Sequence, residues 1–154
     1  MSESKGMPPL LNRTMKLVLR SPLHGIISSY ITLITFTGRK SGKSYTTPVS
    51  YSQKDNMVWI FTHANWWKNL RGGAPVSLRI LGKDLQGIAA PVAENKHAVT
   101  AGLTDHLRQS AFDARFYDVT IDKDGNPDLK DVKKAVETVV MVCVRLNGLP
   151  AQEN

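Results

Sequence analysis

Cysteine is nearly absent from this chain, which has 154 residues and a single cysteine, Cys143. One cysteine excludes an internal disulfide and a cysteine-based metal site. Because Cys143 lies in an apolar run, we expect it to be buried and unreactive. Nothing in the composition calls for an oxidising compartment, so the sequence favours a cytoplasmic protein.

Long apolar runs are also missing. No stretch approaches the roughly 18 apolar residues that a membrane span needs, and the first residues lack the basic start and apolar core of a secretory leader. The apolar residues between Met7 and Leu19 recur at helical spacing opposite a cationic face, and Pro22 ends the pattern. This predicts an N-terminal helical segment at residues 1–28. The helix either covers a sheet or makes peripheral contact with a membrane.

Recognisable catalytic and metal-binding motifs are absent. The histidines, His24, His63, His97 and His106, show no metal-ligand spacing, and Asp122 to Asp128 departs from a calcium loop. His97 and His106 are expected at ordinary polar positions of one helix. No G-x-S-x-G elbow marks a nucleophilic serine, and no pair of carboxylates stands out. We therefore expect no metal site, and any catalysis would rest on a cofactor.

Acidic residues are few. The sequence has twenty Lys and Arg and only thirteen Asp and Glu, which gives a net charge of +7 and a pI near 9.7. This charge favours an anionic partner: nucleic acid, an acidic membrane or an anionic small molecule. The basic residues form no dense stripe, and Trp59 lies in an apolar strand, where we expect its side chain to belong to the core. Nucleic acid is therefore not the expected partner.

The stretch TGRKSGKSYTTP, residues 37–48, nearly matches a nucleotide-binding P-loop. The loop is one residue too short, however, and the Tyr and Thr residues that follow favour a strand, while Pro48 would break a helix. The segment therefore predicts a basic turn between two strands. It is either a solvated hairpin tip or an anion-binding loop of another architecture.

The apolar pattern predicts a helix, five strands joined by tight turns, further helices and a closing strand. We expect one domain over residues 1–154, in which residues 29–146 form a six-stranded antiparallel barrel of the α+β, mainly β, class with flanking helices. The closing strand should be central, because both of its faces are apolar. The predicted strands are 31–36, 45–52, 57–62, 75–81, 84–92 and 138–146, and the predicted helical pieces are 63–73, 93–110, 111–117 and 128–138.

Three segments resemble the deazaflavin-dependent nitroreductase and quinone reductase family: TGRKSGKSYTTPVSY, MVWIFT and WWKNLRGGAPV. The resemblance covers residues 8–92 well, and the closing strand is consistent with it. These are split β-barrel proteins related to flavin-binding oxidases of the pyridoxamine phosphate type. The resemblance implies an oxidoreductase that passes hydride from reduced coenzyme F(420) to a quinone, nitro or other electrophilic acceptor.

The resemblance also implies site residues. The anionic tail of the coenzyme would lie at the basic turn, the ring along the second strand and the end of the third, and an aromatic helix beside them. A proton for the reduction would come from solvent or from the hydroxyl of Ser50 or Tyr51. The implied cofactor ligands are Arg39, Lys40, Ser41, Gly42, Lys43, Thr46, Thr47, Pro48, Val49, Ser50, Thr62, His63, Trp66, Trp67 and Asn69.

One feature departs from the family pattern. Only His63, Ala64 and Asn65 separate the third strand from the aromatic helix, where related proteins often carry a longer loop. The shorter loop leaves open FMN or a haem as the ligand, and a non-catalytic carrier as the function. Barrels of this family often pair, so a homodimer is also expected.

Overall fold

The computed structural model describes residues 31–147, so the helical segment predicted at 1–28 lies outside the described residues. Each strand predicted within this range is present, and its ends lie within two residues of the predicted ones. The elements in chain order are β1 (Ile31–Thr37), β2 (Ser44–Lys54), β3 (Met57–Thr62), the 3-10 helix η1 (Asn65–Leu70), β4 (Ala74–Ile80), β5 (Lys83–Val92), α1 (Lys96–Gln109), the 3-10 helix η2 (Ala111–Phe116), α2 (Leu129–Ala135) and β6 (Val140–Leu146).

The six strands form a closed antiparallel barrel in the order β1-β2-β3-β6-β5-β4. Short turns join β1 to β2, β2 to β3 and β4 to β5, as antiparallel neighbours require. β6 is the last strand of the described residues, and it pairs with both β3 and β5, which closes the sheet. The predicted fold class, mainly β with a six-stranded antiparallel barrel and flanking helices, is confirmed.

Two apolar clusters hold the barrel and its helices together. The first fills the barrel interior, where Ile34, Ile60 and Leu78 are fully buried. The second lies between the outer wall and the helices and includes Leu103 of α1 and Val132 of α2. β6 serves both clusters, since alternate residues of a strand point to opposite faces. The central position predicted for this strand is confirmed.

Two local features refine the sequence-based picture. The helical piece after β3 is a single short 3-10 helix, which ends where Gly72 and Gly73 adopt positive φ angles of 80° and 90°. Cys143 is half-buried, and burial raises the pKa of its thiol, which fits the expected low reactivity. Within residues 31–147, no helix is long and apolar enough to cross a membrane.

At Gly87, β5 approaches β6 closely. A Cβ atom at this position would lie 2.7 Å from the backbone oxygen of Arg145 and 2.8 Å from Cγ1 of Val144. We expect Gly87→Ala to lower the free energy of unfolding by about 1–3 kcal/mol, because the closing strand must shift to admit the methyl group. Urea denaturation measures this change.

The matched control is Ala90→Val, which adds methyl groups at an exposed position of the same strand and should leave the urea midpoint nearly unchanged. An unchanged midpoint in Gly87→Ala would contradict the tight approach of β5 to β6.

Candidate functional site

The turn between β1 and β2 is a compact hydrogen-bonded hairpin. The Gly38 N–H donates to the Lys43 carbonyl at 2.8 Å, and the Gly42 N–H donates to the Gly38 carbonyl at 2.9 Å. Gly42 has a φ of 70°, which favours glycine. At Gly38 a Cβ atom would lie 2.7 Å from both Ser41 Oγ and the Tyr45 ring. The prediction of a basic turn between two strands is confirmed, and a P-loop is excluded.

The turn is tied to η1 by a small hydrogen-bond network. The backbone N–H of Arg39 donates to Asn69 Oδ1 at 2.9 Å, and Nη1 of Arg39 donates to the Lys68 carbonyl at 3.3 Å. Asn69 Nδ2 in turn donates to the Trp66 carbonyl at 2.9 Å. Asn69 therefore fixes the position of the basic turn relative to the aromatic helix.

A groove of about 790 Å³ opens between the turn and η1. Four cationic side chains line it: Arg39 and Lys40 from the turn, and Lys68 and Arg71 from η1 and the residue that follows it. We call this the cation groove. Cations from two separate segments converge here, and no acidic side chain is among the lining residues. The groove therefore suits a ligand with several negative charges.

An aromatic wall forms one side of the cation groove. The ring of Phe36 stacks on those of Trp66 and Tyr45, with centroid distances of 5.3 Å and 5.9 Å. Tyr45 is 45% exposed, so part of this surface faces the groove. Arg71 also lies over the Trp67 ring, 5.1 Å from its centroid. The site thus joins positive charge to a flat apolar surface, which together suit an anionic ligand with an aromatic ring.

The cation groove includes part of the predicted site. Arg39, Lys40, Ser41, Trp66 and Asn69 line it. Gly42 and Lys43 belong to the same turn but are not among the lining residues, and Trp67 lines a neighbouring depression with Gly72 and Gly73. Lys68 and Arg71 also line the cation groove and were not among the residues predicted from the sequence. Both lie within WWKNLRGGAPV, the segment already singled out for its aromatic residues, so its cations were the available signal.

The predicted ring-lining segment of β2 is divided by strand alternation. Val49 and Tyr51 point into the barrel interior, and Thr47 shares their face. Thr46, Pro48 and Ser50 lie on the outer face, where Thr46 Oγ1 hydrogen-bonds Thr35 Oγ1 at 2.8 Å. Burial raises the pKa of the Tyr51 phenol. Ser50 and Tyr51 point to opposite faces, so a ligand on one face of the sheet reaches only one of them.

The end of β3 makes its own local contacts. Thr62 is buried, and its Oγ1 accepts a hydrogen bond from the Ala64 N–H at 3.0 Å. His63 Nδ1 lies 3.3 Å from Thr138 Oγ1, and its ring is 5.6 Å from that of Tyr117. Neither Thr62 nor His63 lines the cation groove. Their contact with a cofactor stays a prediction.

The sequence-based placement of one histidine is corrected. His106 does lie on a helix, α1, but it is 1% exposed and hydrogen-bonds to Ser52 and Asp113. It is therefore a core residue and not an ordinary polar position, because its neighbours supply partners for both ring nitrogens. Among residues 31–147, no three His, Cys, Asp or Glu side chains are grouped so as to hold a metal ion.

Comparison with protein families identifies the family of this chain. The model of the family described as F(420)H2-dependent quinone reductase matches residues 20–124, which is more than half of the chain. Comparison with curated proteins gives no significant match.

Solved structures share the fold. A protein described as a domain-swapped dimer is 15% identical, with a TM-score of 0.51, over 86% of this chain and 95% of its own. The conserved hypothetical protein Rv2991 from Mycobacterium tuberculosis is 17% identical, with a TM-score of 0.52, over 85% of this chain and 88% of its own. At these identities the likeness shows the fold alone.

The link between the basic turn and η1 is open to a direct test. Asn69→Ala removes the acceptor of the Arg39 N–H, and we expect exchange of this amide hydrogen to become about tenfold faster, as loss of one net hydrogen bond implies. Hydrogen exchange followed by NMR measures the rate.

The control is Gln53→Ala, which removes a side-chain amide from a different turn and should leave the Arg39 exchange rate unchanged. Equal exchange rates in wild type and Asn69→Ala would show that Asn69 does not hold the turn.

Proposed function

The chain belongs to the F(420)H2-dependent quinone reductase family, and we propose that its cation groove binds the anionic tail of the deazaflavin coenzyme F(420). The reduced coenzyme supplies a hydride, and a quinone is the acceptor that the family description names. The observation that carries the proposal is the convergence of four cationic side chains beside an aromatic wall. The protein is accordingly assigned as a deazaflavin-dependent oxidoreductase.

The residues of the groove fit the charge of this coenzyme. Its tail carries a phosphate and several carboxylates, and guanidinium groups bind such oxygens through paired N–H donors. Arg39 and Arg71 supply these donors, while Lys40 and Lys68 add charge that moves more freely. All four cations are exposed, so each should contribute at most about 1 kcal/mol and not the larger energy of a buried pair.

The remaining task of the protein is to orient two planar reactants and to exclude water between them. Hydride transfer between such reactants needs no strong protein base, and binding them in one geometry supplies much of the rate. Because burial raises the pKa of Tyr51, its phenol keeps its proton at neutral pH. We propose that Ser50 or Tyr51, or solvent, supplies the proton that completes the reduction.

FMN is the alternative ligand. It carries one phosphate, which two cations can neutralise, whereas the four cations of the groove match a longer polyanion better. A non-catalytic carrier is the alternative function. It would bind coenzyme but would not oxidise it in the presence of a quinone.

For the assembly of the protein, we propose a homodimer, since a structure that shares the fold is described as a domain-swapped dimer. Sedimentation equilibrium measures the mass of the assembly. A cytoplasmic location stays a prediction. Peripheral membrane contact through residues 1–28 also stays a prediction and lies outside the described residues.

The role of the cation groove is tested by neutralising one cation from each of its two segments. We expect the double variant Lys40→Gln, Lys68→Gln to bind F(420) about 10- to 100-fold more weakly, because two exposed ionic contacts are lost. Fluorescence titration of the oxidised coenzyme measures the affinity. The rise in absorbance of the oxidised coenzyme after addition of a quinone to the reduced form measures turnover.

The control is Lys83→Gln, Lys133→Gln, which removes the same charge away from the groove and should bind with nearly wild-type affinity. Equal weakening by both pairs would show an effect of net charge alone and would contradict the site. Wild-type protein that binds F(420) without turnover would support the carrier, and tighter binding of FMN would support the alternative ligand.

A further inference from the structure

Three side chains from three different elements form a hydrogen-bonded series on the outer wall of the barrel. Ser52 Oγ of β2 lies 2.5 Å from Nδ1 of His106 on α1. His106 Nε2 lies 2.9 Å from Oδ2 of Asp113 on η2. His106 and Asp113 are each 1% exposed, whereas Ser52 is half-buried.

The partners of His106 define the direction of these hydrogen bonds. The buried carboxylate of Asp113 accepts from Nε2, so this nitrogen carries a hydrogen. In the neutral ring, Nδ1 then has a free lone pair and accepts the hydrogen of the Ser52 hydroxyl. A histidine placed between a serine and a carboxylate can draw a proton from the serine while the carboxylate holds the ring in place. Here the two ring nitrogens have exchanged the roles they have in serine proteases, because Nδ1 faces the serine and Nε2 faces the carboxylate.

Ser52, the most accessible of the three residues, faces a cavity of about 280 Å³. Ser52 and His106 line the cavity, while Asp113 lies behind them in the interior. Trp59, Gly102 and Met141 give it apolar walls, and Lys54 and Gln109 add N–H donors. The carboxylate of Asp105 also lines the cavity, and it pairs with Arg108 at 3.6 Å. No residue lines both this cavity and the cation groove. We name it the Ser52 cavity.

We propose that the Ser52 cavity is a second catalytic site, in which Ser52 is the nucleophile for hydrolysis of small carboxylic esters. The volume and apolar walls suit a short acyl chain. The ammonium group of Lys54 and the amide of Gln109 are the available donors for negative charge that develops on the carbonyl oxygen. Asp113 does not touch the substrate and is a positioning residue.

The reaction balances with water as the only co-reactant. Ser52 Oγ attacks the carbonyl carbon while its proton passes to Nδ1 of His106. The carbon–oxygen bond to the alcohol then breaks, and the alcohol leaves with that proton. Water next attacks the acyl group on Ser52 and gives a proton to His106. The carboxylic acid leaves as the bond to Ser52 Oγ breaks, and His106 returns the proton to Ser52.

A purely structural role is the competing explanation. The same hydrogen bonds join α1 and η2 to the barrel, and a buried polar chain of this kind stabilises a fold without any reactivity. The two explanations differ in what they predict for Ser52. A nucleophile reacts covalently with electrophilic phosphorus reagents, whereas a structural serine hydroxyl does not.

The test uses p-nitrophenyl acetate and p-nitrophenyl butyrate as substrates and a fluorophosphonate as the covalent label. We expect wild-type protein to hydrolyse the esters and mass spectrometry to find the label on Ser52. Ser52→Ala should take no label, and its kcat/KM should be at least 100-fold lower than that of the wild type. Asp113→Asn should lower kcat about 10³-fold with little change in KM, because the ring of His106 is no longer held in the required tautomer.

The control is Ser77→Ala, which removes a half-buried serine from another strand and should keep the wild-type rate. Urea midpoints of all variants show which of them fold. Wild-type protein that takes no label and hydrolyses no ester above background would overturn the proposal, as would an undiminished rate in folded Ser52→Ala. Since the assay contains no coenzyme, its result is independent of the function proposed for the cation groove.

Discussion

The insertion of β6 between β3 and β5 is the contact on which the rest of the structure depends. β6 pairs with β3 from Val140 to Arg145 and with β5 from Met141 to Leu146, so within residues 31–147 the last strand closes a sheet begun by the first. A closed sheet leaves no unpaired edge. It also gives β6 two buried faces, one in the barrel interior and one beneath α1 and α2. The helices therefore depend on the same strand that completes the barrel.

The cation groove shows how a rigid barrel positions charge. Because like charges repel, four cations around one groove destabilise the folded protein unless a ligand neutralises them or the scaffold holds them in place. The scaffold contributes through Asn69, which accepts from the backbone N–H of Arg39 and donates to the Trp66 carbonyl. Both bonds involve backbone groups and leave the cationic side chains available. Stacking of Phe36 on Trp66 adds an apolar contact between the barrel and the same helix. Charge held before the ligand arrives lowers the ordering cost of binding.

The strands could be predicted from the sequence because β-rich runs alternate with turn residues and each signal is local. Arg39 and Lys40 could be predicted for the same reason, since they belong to one recognisable turn. Lys68 and Arg71 were visible in the sequence as cations of the aromatic segment, but their approach to that turn depends on how η1 packs on the barrel. The Ser52 cavity could not be predicted from the sequence either. Ser52 and His106 are 54 residues apart, and no periodic pattern reports a contact over that distance.

The register of β2 explains how one strand supplies side chains to both the barrel interior and the Ser52 cavity. Its residues alternate, so Val49 and Tyr51 fill the barrel while Ser50 and Ser52 face outward. A shift of one residue would place a tyrosine or an amide beneath His106 and expose the apolar side chains. Pairing fixes the register on both sides, with Thr37 opposite Ser44 and Ser52 opposite Trp59. The requirement that buries Tyr51 in the barrel therefore also places the Ser52 hydroxyl against His106, so the outer cavity is a geometric consequence of the core.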